Sequence, residues 1–290
     1  MVVVGFSGAS DSVPPLLWAA QEAARRGSTL TVLSAVSVQG VLTGPGGDQG
    51  MVAPEAAAAA EQALAEARAT VADVEGLTME GKVVFGSPAA TLVDASADAD
   101  LVVVGNRGRS ELAAAVLGSV AYSVISHAQC PVVVVRGDGT RTLTSGSPVV
   151  VGVDGSHAGR RALEFAASTA ARAKAPLVLL HAWEPDAGAL AAGVDAWSTV
   201  VTEEGEDARR SSAEQELSAV TADLTARYPG LTVTTQAISQ KPSKALAAAS
   251  EDAALVVVGT RGRGGFAGLL LGSVSHGVIH EASCPVAGVR

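Results

Sequence analysis

Two loops in this chain carry residues that could hold a phosphate. The first reads Gly105-Asn106-Arg107-Gly108-Arg109, and nine residues beyond Gly108 comes Gly118-Ser119. The second reads Gly259-Thr260-Arg261-Gly262-Arg263, again with nine residues before Gly272-Ser273. Both follow a short Val-rich run. A glycine at the carboxyl end of a strand lets backbone approach a ligand closely. Gly118-Ser119 and Gly272-Ser273 stand where a helix should open, so N–H groups, helix dipole and a hydroxyl would converge on an anion. Arg107 and Arg261 share those loops and could pair with phosphate oxygens. In one copy such glycines read equally well as plain turns. Two copies with one spacing and shared arginines favour binding, although common descent makes the copies less than independent.

The elements that must position these loops recur in the same order in both halves. The first half predicts strands at Val2–Phe6, Thr29–Val36, Thr78–Phe85, Leu101–Gly105 and Pro131–Arg136. Its helices are predicted at Val13–Arg26, Pro54–Val74, Pro88–Ala97 and Gly118–His127. The second half predicts strands at Val149–Val153, Leu177–Trp183, Leu231–Ile238, Leu255–Gly259 and Pro285–Val289. Its helices are predicted at Ala158–Ala173, Ser198–Tyr228, Pro242–Glu251 and Gly272–His280. Short, continuous, β-branched runs such as Leu101-Val-Val-Val104 mark strands covered on both faces. Strand–helix alternation then implies an α/β chain of two tandem open five-stranded parallel sheets, with helices on both faces and right-handed crossovers. Such sheets bind ligands beyond the carboxyl ends of the strands, where strand order reverses.

The halves are copies. Gly105–Arg136 and Gly259–Arg290 share 17 identities in 32 positions at an offset of 154, while Gly5 matches Gly152 at an offset of 147. The difference is absorbed between the second strand and second helix of each half. The Gly-, Ser- and Thr-rich stretch 138–147 reads as a linker between domains at 1–137 and 148–290. The net charge of −9, with no basic block, argues against nucleic acid or an anionic membrane as the main partner. Two cysteines, Cys130 and Cys284, each precede proline at matched positions, which reads as core packing in a reducing cytoplasm. The opening Met1–Gly5 lacks a basic n-region and is too short an apolar run for a signal peptide.

With these residues in view, the chain resembles the universal stress protein family. The resemblance rests on Gly-x2-Gly-x9-Gly-Ser after a Val-rich strand, on the following Cys-Pro-Val, and on Val150-Val-Gly-Val-Asp-Gly-Ser156. It spans both halves. It implies a Rossmann-like sheet of order 3-2-1-4-5 and ATP held between the first and fourth strands. It places Gly152 and Asp154 toward the adenosine end, Ala182 near the adenine, and Gly259, Arg261, Gly262, Gly272, Ser273 and Val274 around ribose and phosphates, with Arg263 beside them. The matching first-half set is Gly5, Ala35, Gly105, Arg107, Gly108, Gly118, Ser119 and Val120, with Arg109. Ser7 stands where the second half has Asp154 and lacks the carboxylate, so the second half carries the stronger site. The resemblance also implies pairing of the two last strands within one chain, and a further homodimer. Mg²⁺ could accompany ATP, but no dedicated ligand set is visible.

Other signals compete. Ser7-Gly8-Ala9-Ser10-Asp11-Ser12 resembles the loop of ATP pyrophosphatases, which adenylate substrates. It also reads as a helix start capped by Asp11 or Ser12, with Pro14 in the first turn. Gly76–Lys82 has P-loop spacing, but Val83 replaces Ser or Thr and a strand follows. His276, His280 and Cys284 are spaced by four, yet their first-half counterparts are Tyr122, Ser126 and Cys130, so no metal site is expected. Glu61, Glu66, Glu203, Glu204, Glu206 and Asp207 read as solvated helix faces. The sequence thus points to a non-enzymatic, ATP-binding, cytoplasmic stress-response regulator with an unidentified protein partner. An adenylating enzyme and a scaffold with vestigial sites are the alternatives.

Overall fold

The computed structural model describes residues 1–36, 54–106, 117–136, 143–144, 146–184, 196–262 and 270–290, without the side chains of 196–204. Two compact units result. Unit 1 is Met1–Thr142 with Pro285–Gly288 and Arg290; unit 2 is Leu143–Cys284 with Val289.

Unit 1 opens on β1 (Val2–Gly5), followed by a 3-10 turn at Ser10–Ser12 and α1 (Val13–Arg26). Then come β2 (Leu30–Val36), α2 (Pro54–Thr70), β3 (Met79–Phe85), α3 (Pro88–Ala95), β4 (Leu101–Gly105), α4 (Ser119–His127) and β5 (Val132–Val135). The strand order is β3-β2-β1-β4-β5. β1 is parallel to both neighbours, Val2 pairing with Leu30 on one side and Leu101 on the other. Val2, Val3, Val4, Leu101, Val102 and Val103 are fully buried. Branched, apolar residues on both strand faces require helices on both sides. α1 and α2 cover one face, and α3 and α4 the other.

The second repeat follows the same plan with β6 (Val149–Gly152), α5 (His157–Ala173), β7 (Leu177–Trp183), α6 (Ala196–Arg227), β8 (Val233–Ser239), α7 (Pro242–Ala249), β9 (Leu255–Gly259), α8 (Ser273–Glu281) and β10 (Val286–Val289). Its order, β8-β7-β6-β9-β10, repeats the first. Residues 286–288 of β10 belong to unit 1, where Val286, Ala287 and Gly288 pair antiparallel with Val134, Val133 and Val132 of β5.

Predicted and observed elements agree in kind and order, with end shifts of a few residues. Pro88 and Pro242 each open a helix, where a missing N–H costs nothing. α1 ends at Gly27 in the left-handed region (φ 58°), but α5 ends at Lys174 in the same conformation (φ 53°).

Candidate functional site

In unit 2 the carboxyl ends of β6 and β9 diverge, because the chain leaves neighbouring strands toward opposite faces. That is the switch point where open α/β sheets take ligands. A cavity of about 470 Å³ lies there. It falls within the range of small-molecule sites, roughly 300–1,000 Å³.

One wall is apolar. Leu180 and Ala182 of β7, Pro242 and Leu246 of α7, and Val258 of β9 line it. Leu180 and Ala182 lie two apart on a strand and so share a face. This wall suits the flat face of a base. Trp183, on the opposite strand face, donates from Nε1 to Glu206 Oε1 at 3.0 Å, tying α6 to the end of β7. Hydrogen bonds from Ser239 and Trp183 hold the Glu206 carboxyl below the usual carboxylate range. Glu206 is thus an anchor for α6 as well as part of its half-exposed face.

The other end is polar. Gly272 N donates to Thr260 O at 2.7 Å, and Thr260 N donates to Val289 O at 2.7 Å. These bonds close the loop and aim α8 at the cavity. Gly272 precedes the helix in extended conformation, and no side chain caps it. The opening residues Ser273, Val274 and Ser275 all line the cavity, as does the exposed Arg261. Uncapped N–H groups at the positive end of a helix dipole, beside a guanidinium, form an anion cradle. Ser275 Oγ donates back to Gly272 O (2.9 Å) and Thr260 O (3.2 Å) and stiffens the turn.

Asp154 closes the cleft. Gly155 adopts φ 69°, and Ser156 N returns a hydrogen bond to Asp154 Oδ1 at 3.0 Å. Ser156 Oγ accepts from Gly159 N at 2.9 Å and caps α5. Asp154 Oδ2 faces the phosphate loop: a Cβ at Gly262 would sit 3.0 Å from it. Gly259 is hemmed in by backbone, since a Cβ there would lie 3.0 Å from Ala158 C and Gly159 N. Each explains a motif glycine by a close approach rather than by a turn.

Of the second-half residues singled out in the sequence, the structure gathers Gly152, Asp154, Ala182, Gly259, Arg261, Gly262, Gly272, Ser273 and Val274 around this cavity. Arg263 lies outside the described residues, as do Arg107, Gly108 and Arg109. Val153, Leu180, Pro242, Leu246, Val258, Leu271 and Ser275 also line the cavity and were not singled out. They are ordinary core residue types. Their signal is recurrence at the repeat's offset of 154: Pro242, Leu246, Val258 and Leu271 stand where the first half has Pro88, Leu92, Val104 and Leu117.

Unit 1 repeats the scaffold with different oxygens. Gly118 N donates to Asn106 O at 2.8 Å, and α4 opens uncapped at Ser119, followed by Val120. Gly5 and Gly105 end β1 and β4, and Ala35 lies near the end of β2. Ser7 accepts from Ala9 N at 3.4 Å, the counterpart of the Asp154–Ser156 bond, and its single oxygen is thereby engaged. Ser12 does stand just before α1, but its hydroxyl donates to Ala9 O at 2.6 Å instead of capping the helix as an acceptor. Gly76–Lys82 runs into strand β3, which a P-loop would not do. Glu61 and Glu66 are exposed on α2, and Asp207 on α6; the side chains of Glu203 and Glu204 lie outside the described residues. Neither cysteine is in a disulfide, and burial pushes the Cys130 thiol up to about 11. Among the described residues no group of three His, Cys, Asp or Glu is placed to hold a metal ion, and no helix is long and apolar enough to cross a membrane.

Fold and site together define a tandem α/β protein with a cleft at the switch point of its second repeat. The universal stress protein family matches residues 1–136 and 147–290, and the chain belongs to that family. A universal stress protein of Mycolicibacterium smegmatis is 36% identical over 294 residues, covering all of this chain and 96% of that one. One from Mycobacterium tuberculosis H37Rv is 35% identical over 299 residues with the same coverage. The crystal structure of a universal stress protein from Archaeoglobus fulgidus DSM 4304 superposes with a TM-score of 0.69 at 23% identity, across 100% of this chain and 96% of that chain.

Proposed function

We propose that unit 2 binds ATP or a closely related adenine nucleotide, and that the chain acts as a nucleotide-dependent regulator in stress response rather than as an enzyme. The carrying observation is the meeting, in one cavity, of an apolar slot with an uncapped helix start. The base enters between Ala182 and Leu246, the ribose lies by Asp154, and the phosphates meet the first turn of α8 and Arg261. Mg²⁺ arrives with the nucleotide. The described lining holds one carboxylate and no histidine or cysteine. With that carboxylate assigned to the ribose, no described lining group is left to activate a water, and hydrolysis is slow and incidental. Unit 1 binds more weakly, since Ser7 lacks the second oxygen. This reading makes the protein cytoplasmic and dimeric, passing its nucleotide state to a protein partner by a shift in population. Calorimetry with ATP, ADP and AMP, paired with a steady-state phosphate-release assay, tests it. Saturable heat with negligible turnover is the expected result. Sustained turnover would make the protein an enzyme, and absence of heat would leave a scaffold.

A further inference from the structure

Outside the cavity of unit 2, two side chains meet the turn that carries Asp154, and a third steadies one of them. Arg160 of α5 donates from Nη1 to Gly155 O at 3.0 Å. Glu216 of α6 stands against the same glycine: a Cβ on Gly155 would lie 3.0 Å from Glu216 Oε1. The other carboxylate oxygen, Oε2, lies 3.4 Å from His181 Nδ1, a buried nitrogen without a hydrogen-bond partner. His181 sits between Leu180 and Ala182 of the apolar wall and so points to the opposite face of β7. None of the three lines the cavity.

Unit 1 lacks this set. A Cβ on Gly8, the match of Gly155, would meet the Ala63 methyl at 3.3 Å, with Glu66 Oε2 further off at 3.7 Å. At the offset of 147, Ser34 and Val13 stand where unit 2 has His181 and Arg160. The repeat that keeps Asp154 has a polar brace behind its turn. The repeat with Ser7 has a methyl there.

We propose that Glu216, steadied by His181, is a positioning residue for Asp154, an assignment that rests on the nucleotide reading. Gly155 holds φ 69°, and a glycine has no Cβ with which to keep its own turn in place. Arg160 fixes its carbonyl, and Glu216 fills the space on its open side. The turn is thereby confined, and Asp154 Oδ2 stays toward the cleft. Binding groups need such support, since a displacement of about 0.5 Å already degrades the geometry. Glu216 therefore supplies selectivity for the ribose hydroxyls without touching the nucleotide.

Calorimetry of the full chain with ATP and with 2′,3′-dideoxy-ATP tests this, because of the two ATP alone carries the hydroxyls that would donate to Asp154. Wild type should favour ATP. Glu216→Ala installs the methyl that unit 1 carries at this place, a change the fold already tolerates. It should shrink the ratio of the two affinities about threefold or more. His181→Ser, again the residue of unit 1, should shift the ratio in the same direction. In an Asp154→Ser background, Glu216→Ala should leave the ratio unchanged, since a positioning residue acts through the group it positions. A general loss of stability would weaken both nucleotides alike and leave the ratio intact. A wild-type ratio kept in Glu216→Ala, or a further fall in the Asp154→Ser background, would overturn the proposal while the nucleotide reading stands. Wild type that binds neither nucleotide would overturn that reading and the proposal with it. Equal binding of both would remove Asp154 from the ribose, and Glu216 with it.

Discussion

Asp154 and Ser7 occupy matched positions, and their oxygens distinguish the two repeats. Each accepts a backbone N–H from two residues further on, at 3.0 Å for Asp154 and 3.4 Å for Ser7. Asp154 keeps a second oxygen facing Gly262; Ser7 has none to spare. A hydrogen bond to a charged group is worth about 1.5–3 kcal/mol, so Asp154→Ser should weaken ATP binding at unit 2 by about tenfold or more. Calorimetry at fixed ionic strength measures this, and an unchanged affinity would remove Asp154 from the site. Cys130 yields a second residue-level expectation. With its thiol at about 11, little thiolate exists near neutrality. Iodoacetamide labelling of native protein at pH 8 should run roughly a hundredfold slower than that of an unhindered cysteine. Labelling at the ordinary rate would show that Cys130 is more open than its burial implies.

At the scale of elements, α8 does more than fill the sheet face. On the proposed reading its uncapped start meets the phosphates, so adenosine should bind at least about tenfold more weakly than ATP, and added salt should narrow the gap. Equal affinities would mean that the apolar slot works alone. α5 offers a stability test. Lys174 holds a left-handed conformation that costs a side-chain residue roughly 1 kcal/mol, and its counterpart Gly27 avoids that cost. Lys174→Gly should therefore raise stability by about 1 kcal/mol, read as a higher urea midpoint with an unchanged slope. The strands were legible because buried parallel strands leave Val-rich runs, and the helix starts because Pro88, Pro242 and the Gly-Ser pairs punctuate them. The apolar wall was not legible. Leu246 and Val258 look like any core residue until the fold turns them toward the cleft. The donor role of Ser12 also escaped, because a hydroxyl's direction is set by its neighbours rather than by its type.

For the whole molecule, duplication supplied two copies of one scaffold, and divergence made them unequal. Both repeats keep a helix start behind Gly-Ser. Unit 2 adds Asp154, and the counterpart loop of unit 1 closes on Ser7 and Ser12 instead. The asymmetry was visible as a single residue difference in the sequence, but its consequence needed the hydrogen bonds around it. On the proposed reading the chain holds an adenine nucleotide chiefly in unit 2. Gly262→Ala sets a Cβ 3.0 Å from Asp154 Oδ2, inside the cleft, whereas Gly108→Ala is the substitution at the matched sequence position of the first repeat. The most direct test is a mass spectrum of nucleotide released on denaturing purified wild type, Gly262→Ala and Gly108→Ala, each loaded with ATP and freed of excess. Wild type should release an adenine nucleotide, largely lost in Gly262→Ala and largely kept in Gly108→Ala. Equal loss in both variants, or no adenine nucleotide from wild type, would contradict it.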